Sequence, residues 1–356
     1  MAKEQQRIVV TATSALTALG ADSRHTLAAI DAGMVPFREH EYYDCLPEDP
    51  DWDERLPLYA AIVPTLPILD DNQDRLTGIA IPTLANLFAQ AKFNRSALDT
   101  IGLYLALPQR DSMIASLKLE TQWLPELLRR VGLARIKHTH MEFKGQAGFF
   151  FQLHKAKQQL QSGTVTTCVV GGIDSYLLRQ RVKLYDEGWR IKSERNPDGF
   201  VPGEGACLFL LETEAHAKAR GITPLAVIDE IAFGNEINTL STMKNSTGQG
   251  LTSAIDKVME DSTLTQKLDA VYTCLNGENY FAFEWGLILT RLGHHFHGHE
   301  ALYHPADCCG DMGAALSAVA TLCAVHDMAK TDDEKNHLVW CSSDIPDRAA
   351  LILKSV

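Results

Sequence analysis

The chain has 356 residues, of which 46% are hydrophobic, enough to bury the core of one large body or of two fused halves. Lys and Arg total 33 against 45 Asp and Glu, which gives a net charge of −12. This charge excludes a surface built to neutralise nucleic-acid phosphates or anionic lipids, so we expect no nucleic-acid or membrane partner. Apolar runs fall short of the roughly 20 residues that span a bilayer, and the start MAKEQQRIVV lacks the apolar stretch of a signal peptide. These features predict a cytoplasmic protein.

The first hundred residues alternate between strand and helix patterns. Residues 7–11 (RIVVT) form a β-branched run, and residues 23–32 have helical spacing. Residues 37–67 are rich in Asp, Glu, Pro and Tyr without sustained periodicity, which indicates surface loops. Residues 82–91 open with a proline suited to a first helical turn, and residues 101–107 (IGLYLAL) are typical of a buried strand. The pattern predicts an α/β protein.

The same alternation continues to the end of the chain and restarts after residue 212. Residues 146–175 predict a helix, a turn and a buried strand, and residues 196–211 predict a loop that runs into another strand. Further helix or strand patterns occupy residues 214–220, 225–231, 252–259 and 268–275. We therefore expect duplicated halves, residues 1–212 and 213–356, packed as one unit with any site where their strand ends converge.

Cysteine and histidine usage predicts no disulfide, metal or other cofactor. The eight cysteines form no CxxC pair, and several lie in apolar runs, which favours buried and reduced thiols. Residues 294–299 hold four histidines, but no Cys or carboxylate has a recognisable ligand spacing to them. We interpret this run as a solvated turn after a helix.

Several strings resemble the β-ketoacyl synthase family in order and spacing. These strings are RIVVTATSALTALG, VVGGIDS, NPDGFVPGEGACLFLLE, GITPLAVIDEI, TCLNGE, GDMGAA and DRAALIL. Each is a weak motif alone, but together they extend over nearly the whole chain. The resemblance implies a thiolase-like α/β fold whose two halves form a five-layer αβαβα body, and it implies a dimer.

The condensing members of that family use a cysteine nucleophile, two histidines, a lysine and a C-terminal glycine-rich loop. The position that resembles the nucleophile is Gln146, and the place of the first histidine reads Asn276-Gly277-Glu278. Aligning on GDMGAA puts Gly310 at the second histidine and Pro305 at the lysine, while a shift of one residue offers Asp311 and Ala306. The resemblance therefore implies a family member without the condensing machinery.

A loop of Ser342, Ser343 and Asp344 stands where the glycine-rich loop would be. We expect this loop and Asn276, Glu278 and Asp311 to converge on Gln146. Two interpretations remain open: a hydrogen-bonded network that fills a vacated cavity, or a new acid-base or metal site built from Glu278 and Asp311. We favour the network.

Three functions follow from the resemblance. The leading hypothesis is a non-condensing protein, similar to chain-length factors, that associates with an active ketosynthase and an acyl carrier protein. The second is an accessory or adaptor protein for a type VI secretion effector, since NGE, Glu284-Trp285-Gly286 and GDMGAA resemble thiolase-like proteins of those systems. The third is an acyl-carrier-dependent enzyme that uses Glu278 and Asp311.

The resemblance also implies that a central strand pairs across the dimer axis. The uncharged segment 165–170 would invite aggregation as a free sheet edge, so we expect it to pair with a second copy or with a ketosynthase. Its residues are Val165, Thr166, Thr167, Cys168, Val169 and Val170.

Overall fold

The computed structural model describes residues 6–46, 56–67, 72–91, 95–262, 264, 268–296, 301–330 and 333–356. In chain order the elements up to residue 213 are β1 (Ile8–Thr17), α1 (Ser23–Asp31), β2 (Arg38–Cys45), β3 (Leu56–Ala60), α2 (Gln73–Gln90), β4 (Ile101–Ala106), α3 (Ser112–Ser116), α4 (Leu124–Arg130), β5 (His138–Glu142), α5 (Gly148–Gln161), β6 (Thr167–Ser175), α6 (Arg179–Glu187) and β7 (Glu204–Thr213). The remaining elements are α7 (Glu214–Ala219), β8 (Ala226–Asn235), α8 (Gln249–Asp261), β9 (Ala270–Thr273), α9 (Asn279–Leu292), β10 (Ala301–Tyr303), α10 (Ala306–Cys309), α11 (Ala314–Met328), β11 (Asn336–Ser342) and β12 (Asp347–Lys354).

One large mixed sheet organises the described residues. Its ten strands follow the order β10-β9-β11-β12-β8-β1-β7-β6-β4-β5, so strands from the two parts of the chain occupy opposite ends. The two ends meet where Ile8–Val10 of β1 pairs antiparallel with Ala226–Ile228 of β8. None of the described helices is long and apolar enough to span a bilayer.

Three hydrophobic cores separate the helices from the strands and define five layers. The central core contains side chains of α5 and α11 together with strands from both ends of the sheet. A second core joins α2 and α4 to β1, β4, β6 and β7, and a third joins α8 and α9 to β8, β9, β11 and β12. The two ends of the sheet therefore share a central helix layer, and each end carries outer helices on its other face, which confirms the predicted α/β fold.

Close contact between β6 and α11 depends on a glycine and positions the candidate site. A Cβ at Gly172 would lie 2.0 Å from the carbonyl oxygen of Ala314, at the first residue of α11. Glycine therefore lets the start of this buried helix rest directly on the strand. The loop that precedes α11 is held at the same place.

Two local predictions were wrong. Residues 38–45 and 56–60, expected as surface loops, form the antiparallel pair β2 and β3, because Leu56, Leu58 and Ala60 face a small core behind the charged exterior. Pro82 was expected to open a helix, but it lies inside α2, which begins nine residues earlier at Gln73. Proline removes one backbone donor, and packing of α2 on the sheet offsets that loss.

The expectation that segment 165–170 is a sheet edge that pairs with a second copy or a ketosynthase was also wrong. Thr167–Val170 belong to β6, which pairs with β4 on one side and with β7 on the other. Thr166 precedes the strand, and its backbone N–H donates to the Thr100 carbonyl at 3.0 Å. Within the described part of the chain, the edge strands of the large sheet are β5 and β10.

Candidate functional site

Gln146 lies in a short helical turn, Gly145–Ala147, immediately before α5. Its backbone carbonyl accepts a hydrogen bond from Ser317 Oγ of α11 at 2.7 Å. The next N–H, that of Ala147, donates to Ser343 Oγ at 2.9 Å, and Ser343 Oγ donates to the Lys144 carbonyl at 2.6 Å. The head of α5 is therefore fixed by contacts from α11 and from the 342–344 loop.

The side-chain amide of Gln146 faces Asp311. Its Nε2 lies 3.2 and 3.3 Å from the two carboxyl oxygens of Asp311. Asp311 is buried in the loop between α10 and α11, where its backbone N–H donates to the Val201 carbonyl at 2.8 Å and its carbonyl accepts from Gly203 at 2.7 Å. This β-type bridge holds the carboxyl group in place.

Asn276 and Glu278 extend the contact from the loop between β9 and α9. Asn276 Nδ2 donates to Asp311 Oδ2 at 2.8 Å and to Glu278 Oε2 at 2.9 Å. The backbone N–H of Glu278 donates back to Asn276 Oδ1 at 3.1 Å. The Asn276 amide thus bridges two carboxyl groups.

Arg190 is the functional residue that the sequence reasoning missed. Its guanidinium donates to both oxygens of Glu278 at 2.7 Å, and to Asp344 at 2.6 and 3.0 Å. It also lies 5.0 Å from the ring centroid of Tyr185 and 5.3 Å from that of Phe200. Arg190 follows α6 in a polar stretch that contains no motif. The only indication in the sequence was indirect: carboxylates that are expected to converge in a buried site need a cation to pair with them.

We call these six side chains the Gln146 network: Gln146, Arg190, Asn276, Glu278, Asp311 and Asp344. The network holds three carboxyl groups against one guanidinium. Burial raises the pKa of Asp311 to about 7, and the charges of Asp344 and Glu278 act in the same direction, against the hydrogen bonds from Asn276 and Gly313. Asp311 can therefore gain or lose a proton near neutral pH.

Other predicted site residues lie elsewhere. Ser342 donates to Glu284 Oε2 and belongs to a separate buried cluster. Pro305 precedes α10 and lines a cavity with Asp31 and His326, on another part of the molecule. Gly310 ends α10 with a φ of 68°, a left-handed conformation that favours glycine, and contributes only backbone.

The thiols near the site are not activated. All eight cysteines are free, and seven of them are buried. Burial raises the pKa of Cys274 and Cys309 well above the ordinary thiol value, so the thiolate form is disfavoured at neutral pH. His297, Gly298 and His299 of the predicted histidine turn lie outside the described residues.

The fold and the site geometry together define a protein with the thiolase-like ketosynthase fold. The β-ketoacyl synthase N-terminal domain family matches residues 147–217, a match that begins directly after Gln146. The chain is 33% identical over 87 residues to the 3-oxoacyl-[acyl-carrier-protein] synthase 2 of Mycobacterium bovis and of Mycobacterium tuberculosis. This alignment covers 21% of the chain and 21% of each relative.

Solved structures resemble the whole chain. One structure is a type II polyketide synthase acyl-carrier protein in complex with its ketosynthase bound to the hexaketide. A chain of that structure superposes with a TM-score of 0.79 at 15% identity, over 99% of this chain and 100% of its own. The ketosynthase from module 6 of the bacillaene synthase of Bacillus subtilis 168 gives 0.78 at 14% identity over 98% of this chain and 72% of its own. The Streptomyces albus JA3453 oxazolomycin ketosynthase domain gives 0.76 at 13% identity over 99% of this chain and 75% of its own. These similarities show the fold.

Proposed function

We propose that this chain is a non-condensing protein of the ketosynthase fold that acts by association, as a chain-length-factor-like partner of an active ketosynthase in fatty acid or polyketide assembly. The observation that carries the proposal is Gln146, which stands at the head of α5 with its amide on Asp311. A carboxamide is not a thioester nucleophile, so this position cannot accept an acyl chain.

The contacts of the Gln146 network support a structural role over a catalytic one. Glu278, one of the two residues that the alternative acyl-carrier-dependent enzyme would use, is engaged through both oxygens by Arg190. Within the described part of the chain, no side chain of the network has a buried nitrogen or oxygen without a hydrogen-bond partner. A substrate would have to break these bonds, which favours a network that fills the site.

In its ionised form, Asp311 opposes the chemistry of decarboxylation. An ionised carboxylate here repels the enolate or oxyanion that forms when a malonyl group loses carbon dioxide. A condensing enzyme needs donors in that place, and Asp311 in its ionised form is only an acceptor. The proposal therefore includes the loss of decarboxylation as well as condensation.

The edge strand β5 supplies the surface for association. It pairs with β4 through Gly102–Ala106, and the described residues place no strand on its other side. Thr139, the second residue of β5, is exposed. Backbone groups on an open edge are satisfied by a strand from a second copy or from a ketosynthase, in place of segment 165–170.

A carbon dioxide release assay tests the first part of the proposal. Malonyl-loaded acyl carrier protein is incubated with the chain alone, and we expect no release above a no-protein control. Release that exceeds the control and is abolished by Gln146→Ala would overturn the proposal and favour an enzyme.

Association is tested by light scattering and by affinity capture. We expect wild type to form a homodimer or to bind a ketosynthase, and Thr139→Arg to remain monomeric and to lose the partner. Leu302→Arg, on the opposite edge strand β10, is the matched control and should leave the mass unchanged. A monomeric wild type that captures a secretion effector and no ketosynthase would favour the type VI secretion adaptor instead.

A further inference from the structure

A group of metal-ligating side chains lies where the ends of α1 and α11 meet, away from the Gln146 network. Asp31 ends α1, and His326 and Asp327 lie in the last turn of α11. One possible ligand atom from each of these three residues lies within 4.8 Å of the others. His326 Nε2 and Asp31 Oδ2 are 3.2 Å apart, although the residues are 295 positions apart in sequence.

The group faces a cavity that contains further ligand types. The cavity has a volume of about 290 Å³, and its walls include His304, Asp307, Cys308 and Cys323. The side chains of Asp31, His326 and Asp327 are 46%, 32% and 23% exposed, so an ion from solvent can reach them. The cavity therefore combines access from solvent with carboxylate, imidazole and thiol groups.

Two contacts prepare Asp327 and Asp31 for a cation. Tyr272 OH donates to Asp327 Oδ2 at 2.6 Å, which orients the carboxylate and leaves Oδ1 to accept from Lys330. The ammonium of Lys330 lies between them, 2.8 Å from Asp31 Oδ2 and 2.7 Å from Asp327 Oδ1. A tethered cation thus already occupies the position between the two carboxylates.

We propose that Asp31, His326 and Asp327 bind a divalent transition-metal ion of the Zn²⁺ type, which exchanges with the ammonium of Lys330. An imidazole with two carboxylates suits Zn²⁺ or Co²⁺ and is a poor set for Mg²⁺ or Ca²⁺, which take oxygen ligands. Water from the cavity completes a four-coordinate site.

Binding requires only small movements. Zn–O distances of about 2.0–2.2 Å are shorter than the ammonium–oxygen distances, so each carboxylate must move inward by roughly 0.6 Å. Lys330 is 46% exposed and has a long, flexible side chain, so it can turn into solvent when the ion enters. The hydrogen bond from Tyr272 to Asp327 remains as the orienting contact.

Titration calorimetry with ZnCl₂ tests the proposal on the full chain. Lys330→Met should tighten binding by about tenfold or more, because it removes the competing cation, and Tyr272→Phe should weaken it by roughly tenfold. His326→Gln should abolish saturable binding. The matched control is His216→Gln, which removes an imidazole beside a single carboxylate, that of Glu212, and should bind as wild type does.

Co²⁺ provides a second readout, because its visible spectrum reports ligand type and geometry. We expect the spectrum of wild type and Lys330→Met to change on binding, and that of His326→Gln to remain that of aqueous Co²⁺. Circular dichroism verifies that each variant is folded. Absence of binding in both wild type and Lys330→Met would overturn the proposal. Binding that survives His326→Gln but is lost in a His294→Gln/His295→Gln variant would also overturn it, because the metal would then lie in the histidine run.

Discussion

Two buried ionic clusters lie side by side beneath the 342–348 segment, and they differ in charge balance. In the Glu284 pair, Arg348 Nε donates to Glu284 Oε1 at 3.0 Å, and both side chains are 0% exposed. In the Gln146 network, Arg190 and its partners Glu278 and Asp344 remain 17%, 8% and 18% exposed, and Asp311 adds a further carboxyl group. Consecutive residues serve the two clusters: Ser342 donates to Glu284, whereas Ser343 binds the head of α5.

This difference in charge balance shows that the two clusters contribute differently to the protein: the Glu284 pair stabilises the fold, and the Gln146 network forms the candidate site. The Glu284 pair matches one carboxylate with one guanidinium, and Arg348 also donates to the carbonyls of Ser343 and Ile345 at 2.8 Å. The network has more carboxyl groups than cations. Burial, together with the charges of Asp344 and Glu278, raises the pKa of Asp311. The Glu284 pair, whose charges cancel and which excludes water, holds the structure in place, whereas the protonation of the Gln146 network changes with pH.

The largest expected effect comes from breaking the balanced pair. Arg348→Met leaves Glu284 as an uncompensated buried charge, so we expect a loss of about 3–5 kcal/mol in the free energy of unfolding. Urea denaturation measures it. The matched control is Arg129→Met, which removes an exposed pair with Glu126 and should change stability by less than about 1 kcal/mol. Equal effects of the two variants would contradict the comparison.

Asp311→Asn tests the charge excess through its pH dependence. Because the folded pKa is raised, from 3.8 to about 7, the folded state holds a proton that the unfolded state releases between these pH values. Asp311 therefore favours folding below about pH 4, and this contribution is lost as the pH rises to about 7. Asp311→Asn has no carboxyl group to ionise at this position. Its free energy of unfolding, relative to that of wild type, should therefore increase by about 3 kcal/mol between pH 4 and pH 7.

The change with pH is the test, because altered hydrogen bonding in Asp311→Asn adds a constant offset. Urea denaturation of wild type and variant is compared at closely spaced pH values between 4 and 7. Asp198→Asn, which removes an exposed carboxyl group outside the Gln146 network, is the control. A flat difference for Asp311→Asn would mean that Asp311 ionises normally in the folded state.

Arg190→Met should have a smaller effect than Arg348→Met, about 1–3 kcal/mol, because water can reach the freed carboxylates of Glu278 and Asp344. Chemical denaturation measures it. Lys192→Met, an exposed cation two residues away, is the control. A loss equal to that of Arg348→Met would remove the distinction between the clusters.

The sequence predicted much of the fold because its signals are local. Apolar runs such as residues 101–107 and helix-turn-strand patterns such as residues 146–175 depend on near neighbours. Predictions failed where the structure is determined by packing between segments that are far apart in sequence. Pro82 is tolerated inside α2 because that helix packs on the sheet, and segment 165–170 lies inside the sheet because β4 and β7 flank it.

The residues of the candidate site show the same division between what local sequence predicts and what long-range packing determines. The sequence by itself determined that residue 146 is a glutamine with no thiol, that the order of motifs resembles that of the β-ketoacyl synthase family, and that Asn276, Glu278 and Asp311 are polar. Only the tertiary structure decided that Arg190 joins them and that Asp31 meets His326. The physical reason is that a charged side chain carries no local signal of its partner, since the partner is chosen by packing between residues far apart in sequence.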